Sequence, residues 1–158
     1  MLNEAELIEN EITLRDMRLT KEVLETRRSI ARWLALSLGI INPGESRLSA
    51  IAVLDALLYF QFIKREDPDV ESLTKYISAN WQPINEKTLR YHLLRLKKMG
   101  IVENSQAKFY FKTPGIGDKY DVDLWAGNLF KEEYNNVILK IKEAIKELKN
   151  KPANEVLQ

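Results

Sequence analysis

Apolar residues recur at intervals of three and four along most of this chain, the spacing of one helical face, and capping signals divide them into segments. Asn3 with Glu6 three residues later has the form of a capping box, and Ala5, Ile8 and Ile12 follow at helical intervals. They predict an opening helix exposed on most sides. Thr20 is placed to cap a second run carrying Ala31, Leu34, Leu38 and Ile41, which Asn42-Pro43-Gly44 breaks; one bent helix or two would satisfy the pattern. Ser46 or Ser49 is expected to cap residues 50–64, where Ile51, Leu54, Leu58 and Phe62 belong to a segment apolar around most of its circumference. Such a helix belongs in a core. Asp67-Pro68-Asp69 stops it and caps residues 70–79, whose buried stripe is Val70, Leu73 and Ile77. After the connector 80–84, Asn85 caps residues 86–99 and Gly100 stands where a left-handed C-terminal cap is expected.

Beyond Gly100 the period changes. Residues 101–103 and 108–112 read as short strands, and 120–124 alternates well enough to predict a third, with Pro114, Gly115, Gly117 and Asp118 supplying the turn before it. From Leu124 to Asn150 the helical period returns, with Phe130, Tyr134, Ile138, Ile141, Ile145 and Leu148 forming a seam close to a heptad. A helix of about 27 residues would span roughly 40 Å at 1.5 Å per residue, longer than a domain of about 75 residues is wide. Its seam therefore asks for a partner: the N-terminal helices can cover part of it, and a second copy of the same helix is expected to cover the rest. The predicted dimer interface is Tyr134, Ile138, Ile141, Ile145 and Leu148.

Composition narrows the chemistry. The chain has no cysteine and one histidine, which excludes disulfide scaffolds, thiolate metal sites and cysteine nucleophiles and suits a cytoplasmic setting. No metal site and no cofactor is expected. The longest apolar stretch, residues 30–41, is interrupted by Arg32 and falls short of the roughly 20 residues that span a bilayer. The four glutamates of residues 1–11, with no basic residue among them, are the opposite of a signal peptide. Net charge is only +1, so any nucleic-acid signal must be local.

One segment carries such a signal. Residues 85–112 hold seven basic residues (Lys87, Arg90, Arg95, Lys97, Lys98, Lys108, Lys112) against Glu86 and Glu103, a local charge of +5. At 100° per residue from Leu89, Leu93 and Leu96 fall at about 40° and 340°, while Lys87, Tyr91, Leu94, Arg95 and Lys98 lie between about 140° and 240°. A buried stripe thus opposes a basic face. Helix, helix, turn, helix and hairpin within residues 49–124 is the order of a winged helix-turn-helix domain.

The stretch Thr88-Leu-Arg-Tyr-His-Leu-Leu-Arg-Leu-Lys-Lys-Met-Gly-Ile-Val-Glu103 resembles the recognition-helix-to-wing junction of winged-helix transcription regulators of the ArsR and MarR type and related archaeal ones. Thr88, Leu89, His92, Leu93, Leu96, Gly100, Ile101 and Val102 carry the likeness, which covers about half the chain. It implies a mainly α fold with a small β wing. Around the winged domain at 49–124 the expected parts are an N-terminal helical extension at 1–48, a C-terminal dimerisation helix at 125–150 and a tail at 151–158. Two departures stand out: the connector Asn80-Trp-Gln-Pro-Ile84 exceeds the usual tight turn, and the wing has no arginine-rich tip.

The leading expectation is a dimeric regulator without enzymatic activity that binds double-stranded DNA. Glu86, Lys87, Arg90 and Tyr91 would meet base edges, and Arg95, Lys98, Lys108 and Lys112 would hold phosphates. A protein-interaction module docking through Tyr91, Leu94 and an aromatic wing is the rival, and a carboxylate-metal nuclease using Asp121, Asp123 and Glu132 a distant third. Strand alternation and helix capping explain the two aspartates more simply, and His92 is expected as a satisfied, half-buried side chain. Trp33, Trp81 and Trp125 are expected as core or interface anchors. Arg27, Arg28 and Arg32 could extend a DNA footprint, but pairing with the N-terminal glutamates, within or between subunits, is the favoured expectation.

Overall fold

Capping and periodicity build most of the elements where they are predicted. The computed structural model describes residues 2–153, so 154–158 of the expected tail lie outside the described residues. The helices are α1 (Lys21–Leu24), α2 (Arg27–Ser37), α3 (Leu48–Leu58), α4 (Val70–Asn80) and α5 (Glu86–Lys98). The antiparallel hairpin β1 (Val102–Ser105) and β2 (Lys108–Phe111) follows, and then α6 (Val122–Gly127) and α7 (Lys131–Lys149). The architecture is mainly helical with one small sheet. No helix among the described residues is long and apolar enough to cross a membrane.

The core is organised around α3, in which every residue from Ala50 to Leu57 is buried. Around it pack α2, α4, α5 and the end of β2, contributing Ala31, Ala35, Leu73, Ile77, Leu89, Leu93, Leu96 and Phe111. Past Leu58 the helix widens into a π-helical turn, Tyr59–Lys64, which aims Phe62 at Phe111 and buries Gln61. The Gln61 amide donates to the Lys119 carbonyl at 2.6 Å and accepts from Phe111 N–H at 3.4 Å, so the hairpin and the following loop share one anchor.

Asp55 is the one buried carboxylate of α3, and it ties three elements together. Arg27 Nε lies 2.6 Å from it, while the Tyr76 hydroxyl and Trp81 Nε1 each donate to it at 2.9 Å. Burial, reinforced by the Asp55 carboxylate, pushes the Tyr76 hydroxyl up to about 12. Removing one partner of such a network leaves a charge or dipole without compensation in the core.

Several expectations are corrected. The capping box at Asn3 and Glu6 forms, but it supports only a 3-10 turn, Glu4–Leu7, and residues 8–19 continue without regular structure. Arg15 straps that segment down, donating to the carbonyls of Leu36 and Ile41 and to the Asn42 side chain, so tertiary contacts displace the helix. The run that Thr20 caps divides into two helices, α1 and α2, because Thr26 adopts extended backbone and caps α2 through Ser29 N–H. Neither Ser46 nor Ser49 caps α3: Arg47 holds that position without a side-chain bond, and Ser49 Oγ faces His92.

The third strand is absent among the described residues. Asp121 Oδ1 accepts from Asp123 N–H at 3.0 Å and starts α6, which lodges Trp125 against Phe111, ring centroids 5.0 Å apart. The C-terminal helix is correspondingly divided. Phe130 adopts left-handed backbone, φ 57°, with its ring buried, and α7 then runs 19 residues, about 28 Å rather than 40. Arg27 pairs with Asp55, Arg28 donates to the Asn80 carbonyl beneath the Trp81 ring, and Arg32 donates to the Glu45 carbonyl. Among the described residues none of these three meets an N-terminal glutamate, and Glu9 pairs instead with Lys140 of α7.

Candidate nucleic-acid interface

The candidate surface is the outer face of α5, and its position follows from the helix's two ends and its inner stripe. Asn85 Oδ1 accepts from Thr88 N–H at 2.8 Å, and Gly100, φ 80°, turns the chain into β1. Leu89, His92, Leu93 and Leu96 are buried against the core. His92 is therefore more deeply buried than the half-buried side chain expected. Its Nε2 lies 3.0 Å from Ser49 Oγ, and burial, helped by the charges of Arg95 and Arg47, holds its pKa below the usual histidine value. The imidazole is thereby kept neutral, as a structural link between α3 and α5.

With that stripe inward, Glu86, Lys87, Arg90, Tyr91, Leu94 and Lys98 are all exposed on one side. Tyr91 and Leu94 are 56% and 52% exposed, an apolar strip between cations. Arg90 pairs with Glu86 one turn back at 3.2 Å, which holds both long side chains over the first turns of the helix. Arg95 lies at the edge of the face. Its Nη1 donates to the Ile40 carbonyl at 2.6 Å, fixing the α5 C-terminal half to the loop after α2 while leaving the guanidinium partly exposed.

The hairpin flanks this face. Lys97 donates to the Asn104 side chain of β1 at 2.7 Å, and a shallow groove of about 280 Å³ runs between Arg90, Leu94 and Lys97 on one side and Asn104 and Phe109 on the other. Gln106 and Ala107 form the hairpin tip, both with left-handed backbone. Lys108 is exposed just beyond it and is close enough to lower the pKa of Asp69, whose main stabilisation comes from capping Ser72.

Lys112 does not join the set. Its ammonium lies 2.9 Å from Glu132 and 3.0 Å from Glu133, at the start of α7, and these hydrogen bonds outweigh burial and raise its pKa. Two of its three donors are thus committed to the start of α7 rather than to the α5 face. Arg47 is a residue that no motif or periodicity singles out: it is exposed, pairs with Glu45 at 3.5 Å, and is close enough to act on His92, as Arg95 is. Only the fold brings it there, from a position 48 residues earlier than Arg95 in the chain.

The predicted dimer residues lie elsewhere. Tyr134, Ile141, Ile145 and Leu148 are exposed and Ile138 is half-buried; no residue of α7 is buried. Asp121 and Asp123 are engaged at the start of α6, and among the described residues no three histidine or carboxylate groups converge to hold a metal ion. Comparison with known proteins finds no matching family model, no matching curated protein and no matching solved structure, so the reading of this surface rests on its own geometry.

Proposed function

We propose that this protein binds double-stranded DNA through α5, as a homodimeric transcription regulator of winged helix-turn-helix type acting in the cytoplasm. The observation that carries the reading is the exposed row Lys87, Arg90, Tyr91 and Lys98 on a helix whose opposite stripe is buried, with a hairpin at its side. A helix held in this way can enter a major groove without disturbing the core. Lys98 supplies a phosphate contact, Lys87, Arg90 and Tyr91 reach base edges, and Glu86 orients Arg90. The uncovered seam of α7 favours pairing with a second copy, which would present two copies of α5 to two half-sites.

Selection of bound sequences from random duplexes tests the reading: enrichment of a defined site is expected, and recovery of no duplex would refute it. Binding should weaken steeply with salt, and Lys98→Ala should lower the salt slope by about one for each phosphate that the lysine neutralises. A second reading, docking onto a protein partner, is favoured by exposed Leu94 beside Tyr91. Under it Leu94→Glu abolishes partner capture by placing a charge against an apolar surface, while Arg90→Ala leaves duplex binding unchanged.

A further inference from the structure

A cavity of about 510 Å³ lies between the base of the hairpin and the start of α7, with Lys112, Pro114, Leu129, Phe130, Glu133 and Asn136 in its walls. That volume suits one small metabolite. The walls are of two kinds. Pro114 and Leu129 supply apolar surface, and Lys112, between Glu132 and Glu133, supplies the ionic surface.

The ionic side is built rather than incidental. Glu133 is only 11% exposed, whereas Glu132 is 71% exposed, so one carboxylate neutralises the lysine in a sheltered place and the other is a solvated extra. Two features bring the sheltered carboxylate there. Left-handed backbone at Phe130, a conformation that a residue with a side chain adopts only at a cost, turns the chain so that Glu132 and Glu133 face β2. Gly100 permits the approach, because a Cβ at that position would collide with Glu133 Oε1.

The charges decide the class of ligand. The lining holds two ammonium groups, Lys112 and Lys131, and two carboxylates, Glu132 and Glu133, so a purely anionic or cationic ligand meets repulsion from half of them. A molecule carrying both charges can face each with its opposite. The Lys112 ammonium has three donors and two carboxylate partners, which leaves one donor for a ligand carboxylate. Glu132 and the Asn136 side-chain oxygen can take a ligand ammonium, and the apolar wall can take a hydrocarbon arm.

We infer that this cavity binds a free α-amino acid with an apolar side chain, held by Lys112 and Glu132 and packed against Pro114 and Leu129. The inference does not depend on what α5 binds. Calorimetric titration and thermal unfolding of the full chain test it, with L-leucine and L-phenylalanine as probes and 3-methylbutylamine and 4-methylpentanoate as single-charge controls. Saturable binding of at least one amino acid below about 10 mM is expected, with each control weaker by about tenfold or more. Lys112→Met should weaken the amino acid by about tenfold or more, and so should Asn136→Leu, which narrows the cavity but leaves the ion pairs intact. Should Lys112→Met fail to fold, Asn136→Leu decides. No saturable heat with either amino acid, equal binding of the controls, or undiminished binding in the folded variants would overturn the inference.

Discussion

Helices α5 and α7 are both amphipathic, and the protein treats them in opposite ways. In 13 residues α5 buries Leu89, His92, Leu93 and Leu96, so its apolar stripe is part of the core and its cations are what remains outside. In 19 residues α7 buries nothing: Tyr134, Val137, Ile141, Ile145 and Leu148 all stay exposed, and among the described residues Leu7, Ile8 and the Glu9–Lys140 pair lie alongside that helix. An apolar stripe predicts that a helix will form against something, but not what that something is. In α5 the chain itself supplies the partner. In α7 the stripe is left uncovered by the described residues, and the pairing with a second copy proposed above would cover it.

The largest expected effect separates the two stripes by stability. Leu93→Ala removes a buried side chain beside α3 and should cost about 2–5 kcal/mol, whereas Ile141→Ala should cost well under about 1 kcal/mol in a monomer. Urea unfolding at two protein concentrations reads both. Concentration-dependent destabilisation by Ile141→Ala would show that α7 is covered in an assembly, which sharpens the contrast into one of partner rather than of burial.

Next comes the assembly itself. If α7 pairs with its copy, Ile141→Lys combined with Ile145→Lys should reduce the mass seen by light scattering to that of one chain, because two charges would face an apolar surface. A wild-type monomer at tens of micromolar, the range of weak association, would remove the homodimer from the proposed function.

For α5 the prediction concerns its outer face. Arg90→Ala should leave thermal unfolding unchanged and weaken binding to the preferred duplex by roughly 1–3 kcal/mol, with a smaller loss on unrelated duplexes. Equal losses on all duplexes would make Arg90 a phosphate contact, and no loss on any would take it out of the interface.

The smallest effect tests the inner stripe by pH. Because burial lowers the His92 pKa, its neutral form is favoured in the fold, and the unfolded chain binds the proton first as pH drops. The contribution of His92 is thus fully present above about 6.5, its unfolded value, and is lost as pH falls from there toward the folded pKa. The stability difference between wild type and His92→Gln should change across that window and be flat above it. A difference independent of pH would mean that the imidazole does not titrate differently in the two states.

The regions also differ in how far they could be read along the chain, for a physical reason. Asn85, Gly100 and the spacing of Leu89, Leu93 and Leu96 act over one or two helical turns, so the limits of α5, its inner stripe and its basic side could be read directly. The same local logic placed α4 behind Asp69 and the hairpin after Gly100. It misjudged 120–124, where alternation and a cap signal compete over the same residues, and the capping bond of Asp121 together with the burial of Trp125 settled the matter for helix.

Caps, turns and periodicity act over short range, and from them alone follow a mainly helical chain, the ends of α4 and α5, a locally basic segment and an amphipathic C-terminal helix. Which cations are free is a matter of long-range packing. Lys112 and Arg95 look like Lys98 in the sequence, yet one is held by Glu132 and Glu133 and the other by the Ile40 carbonyl 55 residues away. Packing also set the break at Phe130, where burying one aromatic ring outweighs the cost of left-handed backbone and ends the long helix that the pattern predicted.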